Sequence, residues 1–230
     1  NVSGSQFWCS LNNAPAVLCS SPLSYSGLSN GSQTFSVYAQ TPEGVFEKQP
    51  VSYSWTIDAV APAVQITNRA QLLTLTNSDS MAFEFVANET SNYLCSLDGA
   101  ADVPCYSPAV YPRLTEGSHL FTVKAVDSVG NVSTAADSFQ WTVDMTAPVT
   151  TLVNVEPASA VSNSLSKTFT FTANESALFE CSIDNGVFTA CSSPLALNNL
   201  AEGSHWFEVK ATDMAGNKGL ATSYAWNVDV

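Results

Sequence analysis

Six cysteines stand in three C-x9-C pairs: Cys9 with Cys19, Cys95 with Cys105, and Cys181 with Cys191. Such pairs could form a redox couple, half of a zinc site or a disulfide. A redox couple calls for a close C-x-x-C pair near a helix start, where one thiol's pKa is lowered. Structural zinc needs four ligands, and each segment offers two cysteines and at most one histidine. A disulfide needs only a chain that doubles back. The third residue after each first cysteine is Asn12, Asp98 or Asp184, followed by Asn13, Gly99 or Asn185, types that tolerate positive φ and make side-chain turns. The pairs are read as staples, each contributing about 2–3 kcal/mol in the chain-entropy model.

The two histidines, His119 in "EGSHLF" and His205 in "EGSHWF", occupy equivalent places, and Gln33 stands there in the first copy. A catalytic histidine would be expected once, beside a nucleophile. A pair that recurs with the fold and is replaced by Gln reads as a strand-edge hydrogen-bonding residue. Glu116 and Glu202 lie three residues earlier, with no carboxylate in the first copy. The segments "AVDSVGN" and "ATDMAGN" place Asp127 and Asp213 before the Gly-Asn turns Gly130-Asn131 and Gly216-Asn217. Those aspartates can cap the turns through their side chains. The same residues are also oxygen-bearing candidates for calcium: Asp127 and Asn131 with the linker carboxylate Asp58, and Asp213 and Asn217 with Asp144. No loop has EF-hand spacing. No nucleophile, base and orienting group meet at a nonrepeated position, so catalysis is not expected. Five N-x-S/T sequons begin at Asn1, Asn30, Asn88, Asn131 and Asn174, and they matter only if the source glycosylates.

All of these features sit in one repeat. Cys9, Cys95 and Cys181 are 86 apart, as are Gly31, Gly117 and Gly203, and Phe35, Phe121 and Phe207; Trp55 and Trp141 follow, with Trp226 one residue early. A period of this size is a whole small domain. Phe169, Phe171 and Ala173 alternate with threonines, and Phe121, Val123 and Ala125 in "FTVKA" and Phe139, Trp141 and Val143 in "FQWTV" alternate with polar residues. This is the pattern of strands with one buried face, and no segment shows helical periodicity. Short strands separated by Gly, Asn, Pro and Ser clusters predict an all-β chain of tandem immunoglobulin-like β-sandwich modules.

Pro62 and Pro148 follow the last strand of one unit and open the next. Proline fixes φ and restricts its predecessor, so the linkers are expected to be short and stiff and the modules to form a rod. The expected domains are a partial module over 1–59 and full modules over 60–145 and 146–230. From Pro62 to Cys95 and from Pro148 to Cys181 there are 33 residues, yet only 8 precede Cys9. The first module therefore lacks the equivalent of its first two strands. The chain reads as a window on a longer array; the alternative is completion by another chain through β-augmentation.

Seven basic against twenty acidic residues give a net charge of −13. Such a field repels phosphate backbones and anionic membrane surfaces, so neither nucleic acid nor a lipid surface is an expected partner. No run of eighteen apolar residues suggests membrane insertion. Paired cysteines fit an oxidising compartment, and the chain reads as exported.

The run "FTFTANESALFECSIDNG", the later "EGSHWFEVKATDMAGN" and the "D…AP" linker resemble the tandem immunoglobulin-like modules of large bacterial surface proteins and adhesins. The resemblance covers the second and third units and the first from about Phe7, where "YAQTPEG" replaces the Asp and Gly-Asn turn. It implies a non-enzymatic structural or adhesive protein, the disulfide-stapled shaft of an extracellular, cell-surface fibre or adhesin of bacterial origin. Its implied partners are neighbouring copies or modules of the same fibre and host or prey surface ligands. The competing reading is a carbohydrate- or partner-binding module attached to an exported enzyme. Its support is aromatic residues expected to be exposed and present in one unit only, Tyr106 and Tyr111 against Ser192 and Leu197.

Overall fold

The computed structural model describes residues 4–230, so the sequon at Asn1 lies outside the described residues. In the first repeat, β1 (Gln6–Leu11), β2 (Val17–Cys19), β3 (Gly31–Gln40) and β4 (Val51–Ile57) form one sheet in the order β2-β1-β3-β4. In the second repeat the strands are β5 (Val64–Ile66), β6 (Leu75–Thr76), β7 (Met81–Phe83), β8 (Phe85–Ala87), β9 (Ser91–Leu97), β10 (Val103–Cys105), β11 (Ala109–Tyr111), β12 (Gly117–Asp127) and β13 (Asp137–Val143). They form the sheet β10-β9-β12-β13-β6 and the pairs β11-β7 and β5-β8. The third repeat holds β14 (Thr150–Glu156), β15 (Val161–Ser162), β16 (Lys167–Ala173), β17 (Ala177–Ile183), β18 (Thr189–Cys191), β19 (Leu195–Leu197), β20 (Gly203–Asp213) and β21 (Thr222–Val228). Its two sheets run β15-β21-β20-β17-β18 and β14-β16-β19. The all-β expectation holds, with immunoglobulin-like sandwiches in the second and third repeats and a single sheet among the described residues of the first.

The alternating strands bury the residues their pattern marks. Phe121, Val123 and Ala125 are fully buried, as are their counterparts Phe207, Val209 and Ala211. Each core is built on a phenylalanine stack across the sandwich: Phe83 on Phe121 and Phe169 on Phe207, both with ring centroids 4.0 Å apart. Trp141 and Trp226 lie beside the upper rings at 5.3 and 5.4 Å. Burying each such ring is worth roughly 1.5–3 kcal/mol in transfer free energy. Lys167 takes the position of Met81 one period earlier. It is buried, donates from Nζ to Ser159 O at 2.9 Å and lies over the rings of Tyr224 and Trp226. Burial holds its pKa below the usual lysine value.

Two features ran past what alternation could show. The two-residue strands β6 and β15 pair in parallel with β13 and β21, and runs that short carry no periodicity. Tyr111, read from the sequence as an exposed aromatic, instead packs on the core, 6.2 Å from Phe83 and 5.6 Å from Phe121. It alternates in register with Ala109 on β11, which puts its ring inward. Tyr106 is 82% exposed.

By contacts the chain divides into two compact units. One takes residues 1–63, 87–92 and 124–135; the other takes 64–86, 93–123 and 136–230. The loops 87–92 and 124–135 group with the first repeat because they grip its outgoing linker.

Candidate functional site

All three cysteine pairs are disulfides, with the same Cα separation of 5.8 Å. The turns inside them adopt the left-handed conformation their residues favour: φ is 51° at Asn12, 53° at Asp98, 51° at Asp184 and 73° at Gly99. Each loop is pinned to the neighbouring long strand. Asp98 Oδ1 accepts the Leu120 N–H and Asp184 Oδ1 that of Trp206, both at 2.8 Å.

The histidines close the same network. His119 donates from Nδ1 to Asp98 Oδ2 and from Nε2 to Thr115 O, both at 2.8 Å; His205 does the same to Asp184 and Ala201 at 2.9 Å. Both ring nitrogens face acceptors, so the imidazolium satisfies the site and the neutral ring leaves one bond unmade. Burial is the largest influence on His119 and pulls its pKa down; the bonds to Thr115 and Asp98 outweigh it, leaving the pKa raised. For His205 the bond to the Ala201 carbonyl leads, and the pKa is again raised. In the first repeat a neutral pair does the work: Asn12 Nδ2 donates to Gln33 Oε1 at 2.6 Å and Gln33 Nε2 to Ser29 O at 2.7 Å.

The Asp and Gly-Asn turns lie against the linkers. Asp127 Oδ1 accepts the N–H groups of Val129, Gly130 and Asn131 at 2.8–2.9 Å, and Asp213 Oδ1 accepts that of Asn217 at 2.8 Å. For both aspartates burial is the largest single influence and pushes the pKa up. The hydrogen bonds, those from Asn131 and Asn217 first among them, together hold it below the usual value. Asn131 Nδ2 donates to Asp127 Oδ2 at 2.7 Å and to the linker carbonyl of Asp58 at 3.1 Å. Asn217 repeats this on Asp213 Oδ2 at 2.8 Å and Asp144 O at 2.7 Å. Two sequon asparagines fasten the linker's far end: Asn88 Oδ1 accepts the Ala63 N–H and Asn174 Oδ1 the Val149 N–H. From the other side Asn30 Oδ1 accepts the Ala59 N–H and Glu116 Oε1 that of Met145. Contact at the second linker is close: a Cβ on Gly219 would stand 2.2 Å from Pro148 O.

Around each clamp three carboxylates converge, with oxygens within 4.8 Å of one another: Asp58, Glu89 and Asp127, then Asp144, Glu175 and Asp213. Of the residues considered for calcium in the sequence, the four aspartates are thus brought together in two groups. Asn131 and Asn217 stand beside them as amide donors. Glu89 and Glu175 were missed, although they occupy "NET" and "NES" one period apart. Burial, then the carboxylates of Asp144, Asp213 and Glu116, push the pKa of Glu175 up. Three carboxylates in a hard-oxygen set fit a calcium-sized cation, which would offset that repulsion.

Fold and site together define a disulfide-stapled, all-β tandem-repeat chain with hydrogen-bonded junctions. No family model matches it. Among curated proteins it is similar to halomucin of Haloquadratum walsbyi, at 27% identity over 75% of this chain, which spans 2% of halomucin's length. Among solved structures it is similar to fibronectin(III)-like modules of Clostridium thermocellum CbhA, with TM-score 0.42 and 14% identity over 73% of this chain and 94% of that one. A 1.5-MDa bacterial ice-binding adhesin gives TM-score 0.42 and 12% identity over 98% of this chain and 86% of that one. A Ca2+-stabilized adhesin of an Antarctic bacterium gives 0.37 and 13%, over 98% and 65%.

Among the described residues, no helix is long and apolar enough to cross a membrane.

Proposed function

We propose that the chain is a structural or adhesive stretch of an extracellular, cell-surface protein, with the 86-residue repeats as its domains and a shaft as its role. The observation that carries this reading is the junction clamp, built twice from equivalent residues on both sides of a proline linker. A linker held at both ends cannot act as a free hinge, and stiff joints are what a shaft requires. The disulfides support an oxidising exterior, since they persist there and are rare in reducing compartments. Electron microscopy of the native protein is expected to show evenly spaced beads along extended fibres; separate globules on flexible tethers would refute the shaft.

A second element of the proposal concerns the two carboxylate triads. Their recurrence at both junctions favours calcium held by Asp58, Glu89 and Asp127 and by Asp144, Glu175 and Asp213, bridging residues already tied by the clamps. Millimolar calcium should raise the melting temperature and chelator should reverse the rise. An identical melt in calcium and in excess chelator would remove the ion from the account.

A further inference from the structure

On the outer face of β20 and β21 the third repeat departs from the other two at a cluster of positions that the fold leaves free. The frame beneath is shared: His205 stacks on Trp226 with ring centroids 5.2 Å apart, as His119 lies against Trp141 at 5.4 Å, and each histidine bonds an aspartate of its cysteine loop. Above that frame Trp206 stands where the second repeat has Leu120, Ala225 where it has Gln140, Asn227 where it has Thr142, and Asn185 where it has Gly99. In the second repeat Gln140 reaches along the face and donates from Nε2 to Ser118 Oγ at 3.1 Å. In the first the pair is Thr34 and Ser54, whose hydroxyls bond each other at 2.9 Å. Ala225, opposite Trp206 in the ladder, is too short to cover it, and the indole is 37% exposed.

These changes leave a groove of about 490 Å³ lined by Trp206, Ala225, Asn227, Ser204, Asp184 and Asn185, within the roughly 300–1,000 Å³ of small-ligand sites. Asp184 is occupied, one oxygen accepting the Trp206 N–H at 2.8 Å and the other facing His205 at 2.9 Å. Ser204 Oγ donates to Asn227 Oδ1 at 3.3 Å. Among the described residues, neither Asn227 Nδ2 nor the side-chain amide of Asn185 has a hydrogen-bond partner.

The surroundings select among ligands. Strand β20 lies between β17 and β21, and β21 is flanked by β15, so the groove sits on a sheet face with no free backbone edge for a peptide strand to join. One indole among polar side chains is too little apolar surface for the core of a protein interface. The net charge of −13 disfavours nucleotides, whose bases would otherwise stack on an indole. A neutral pyranose matches what remains, because its apolar C–H face packs on an indole and its adjacent hydroxyls pair with the donor and acceptor of a side-chain amide.

We propose that this groove is a carbohydrate-binding site, in which a neutral pyranose stacks on Trp206 in the space left by Ala225 and is hydrogen-bonded through its hydroxyls by Asn185 and Asn227. The inference rests on comparison of the repeats and is independent of the shaft reading.

The test uses the whole 230-residue chain and cello-, malto-, manno-, galacto- and N-acetylated chito-oligosaccharides, with binding followed by titration calorimetry and by the indole N–H resonance of Trp206. At least one series is expected to bind saturably with a millimolar or tighter Kd and to move that resonance. Trp206→Leu and Ala225→Gln, each installing the second repeat's residue, should weaken binding roughly tenfold or more at an unchanged melting temperature, while Trp206→Tyr retains part of it. Three results would overturn the proposal: no binding of any series at about 10 mM sugar, binding undiminished by Trp206→Leu, or self-association of the chain that Trp206→Leu abolishes, which would give the groove to a second copy.

Discussion

At the residue scale, the repeats write one solution in two chemistries. Where the second and third repeats set a histidine ring between a carboxylate and a carbonyl, the first sets two neutral amides. A histidine whose folded pKa is raised contributes stability that is full below its unfolded value, about 6.5. That contribution is lost as pH rises through the folded value. Stability of the second and third repeats should therefore fall as pH rises from about 6.5 through the raised folded value. Installing the first repeat's pair, His205→Gln with Asp184→Asn, should flatten this dependence for the third repeat in melts between pH 6 and 9. For Asp127 and Asp213 the sign reverses: with folded pKa depressed, their stabilisation is present above the unfolded value of about 3.9 and is lost as pH falls through the folded value. Asp213→Ala should lower the melting temperature at pH 7 and narrow the gap between pH 7 and pH 3 melts. Lys167→Met, which installs the second repeat's residue, should leave stability unchanged or raise it, because a buried ammonium with one carbonyl partner is replaced by an apolar side chain.

At the element scale, the strands were legible because one face of each meets a core, so "FTVKA" and "FTFTA" carry their burial in their alternation. The cysteine loops were legible for a different reason: positive φ is written in Asn, Asp and Gly. The clamps were not, because a side chain that bonds a distant backbone group leaves no periodic trace. Asn88 and Asn174 read as sequons, and Glu89 and Glu175 as their neighbours. Only the period joins them, and it shows recurrence without purpose. Tyr111 was misjudged because its counterpart Leu197 made it look like an added aromatic, when both are inward positions of one strand type. The difference in burial between equivalent phenylalanines gives the element-scale prediction. Phe121→Ala or Phe207→Ala should cost about 3–5 kcal/mol in denaturant unfolding, and Phe35→Ala clearly less, since its ring already meets solvent. Equal losses would contradict this dependence on burial.

At the scale of the whole molecule, the account depends on junctions more than on modules. Sandwiches of this kind serve many purposes, and the proposed shaft rests on linkers tied by Asn88 and Asn131, and by Asn174, Asn217 and Glu116. Charge acts on the same scale. A net charge of −13 makes copies of the chain repel one another, a repulsion that salt and divalent cations screen. The most direct test is pulsed electron spin resonance on the chain carrying nitroxide amino acids at the exposed Val103 and Val187, one in the second repeat and one in the third. The account predicts a single narrow distance distribution that broadens in the Asn174→Ala, Asn217→Ala variant; a broad distribution in the unaltered chain would contradict it.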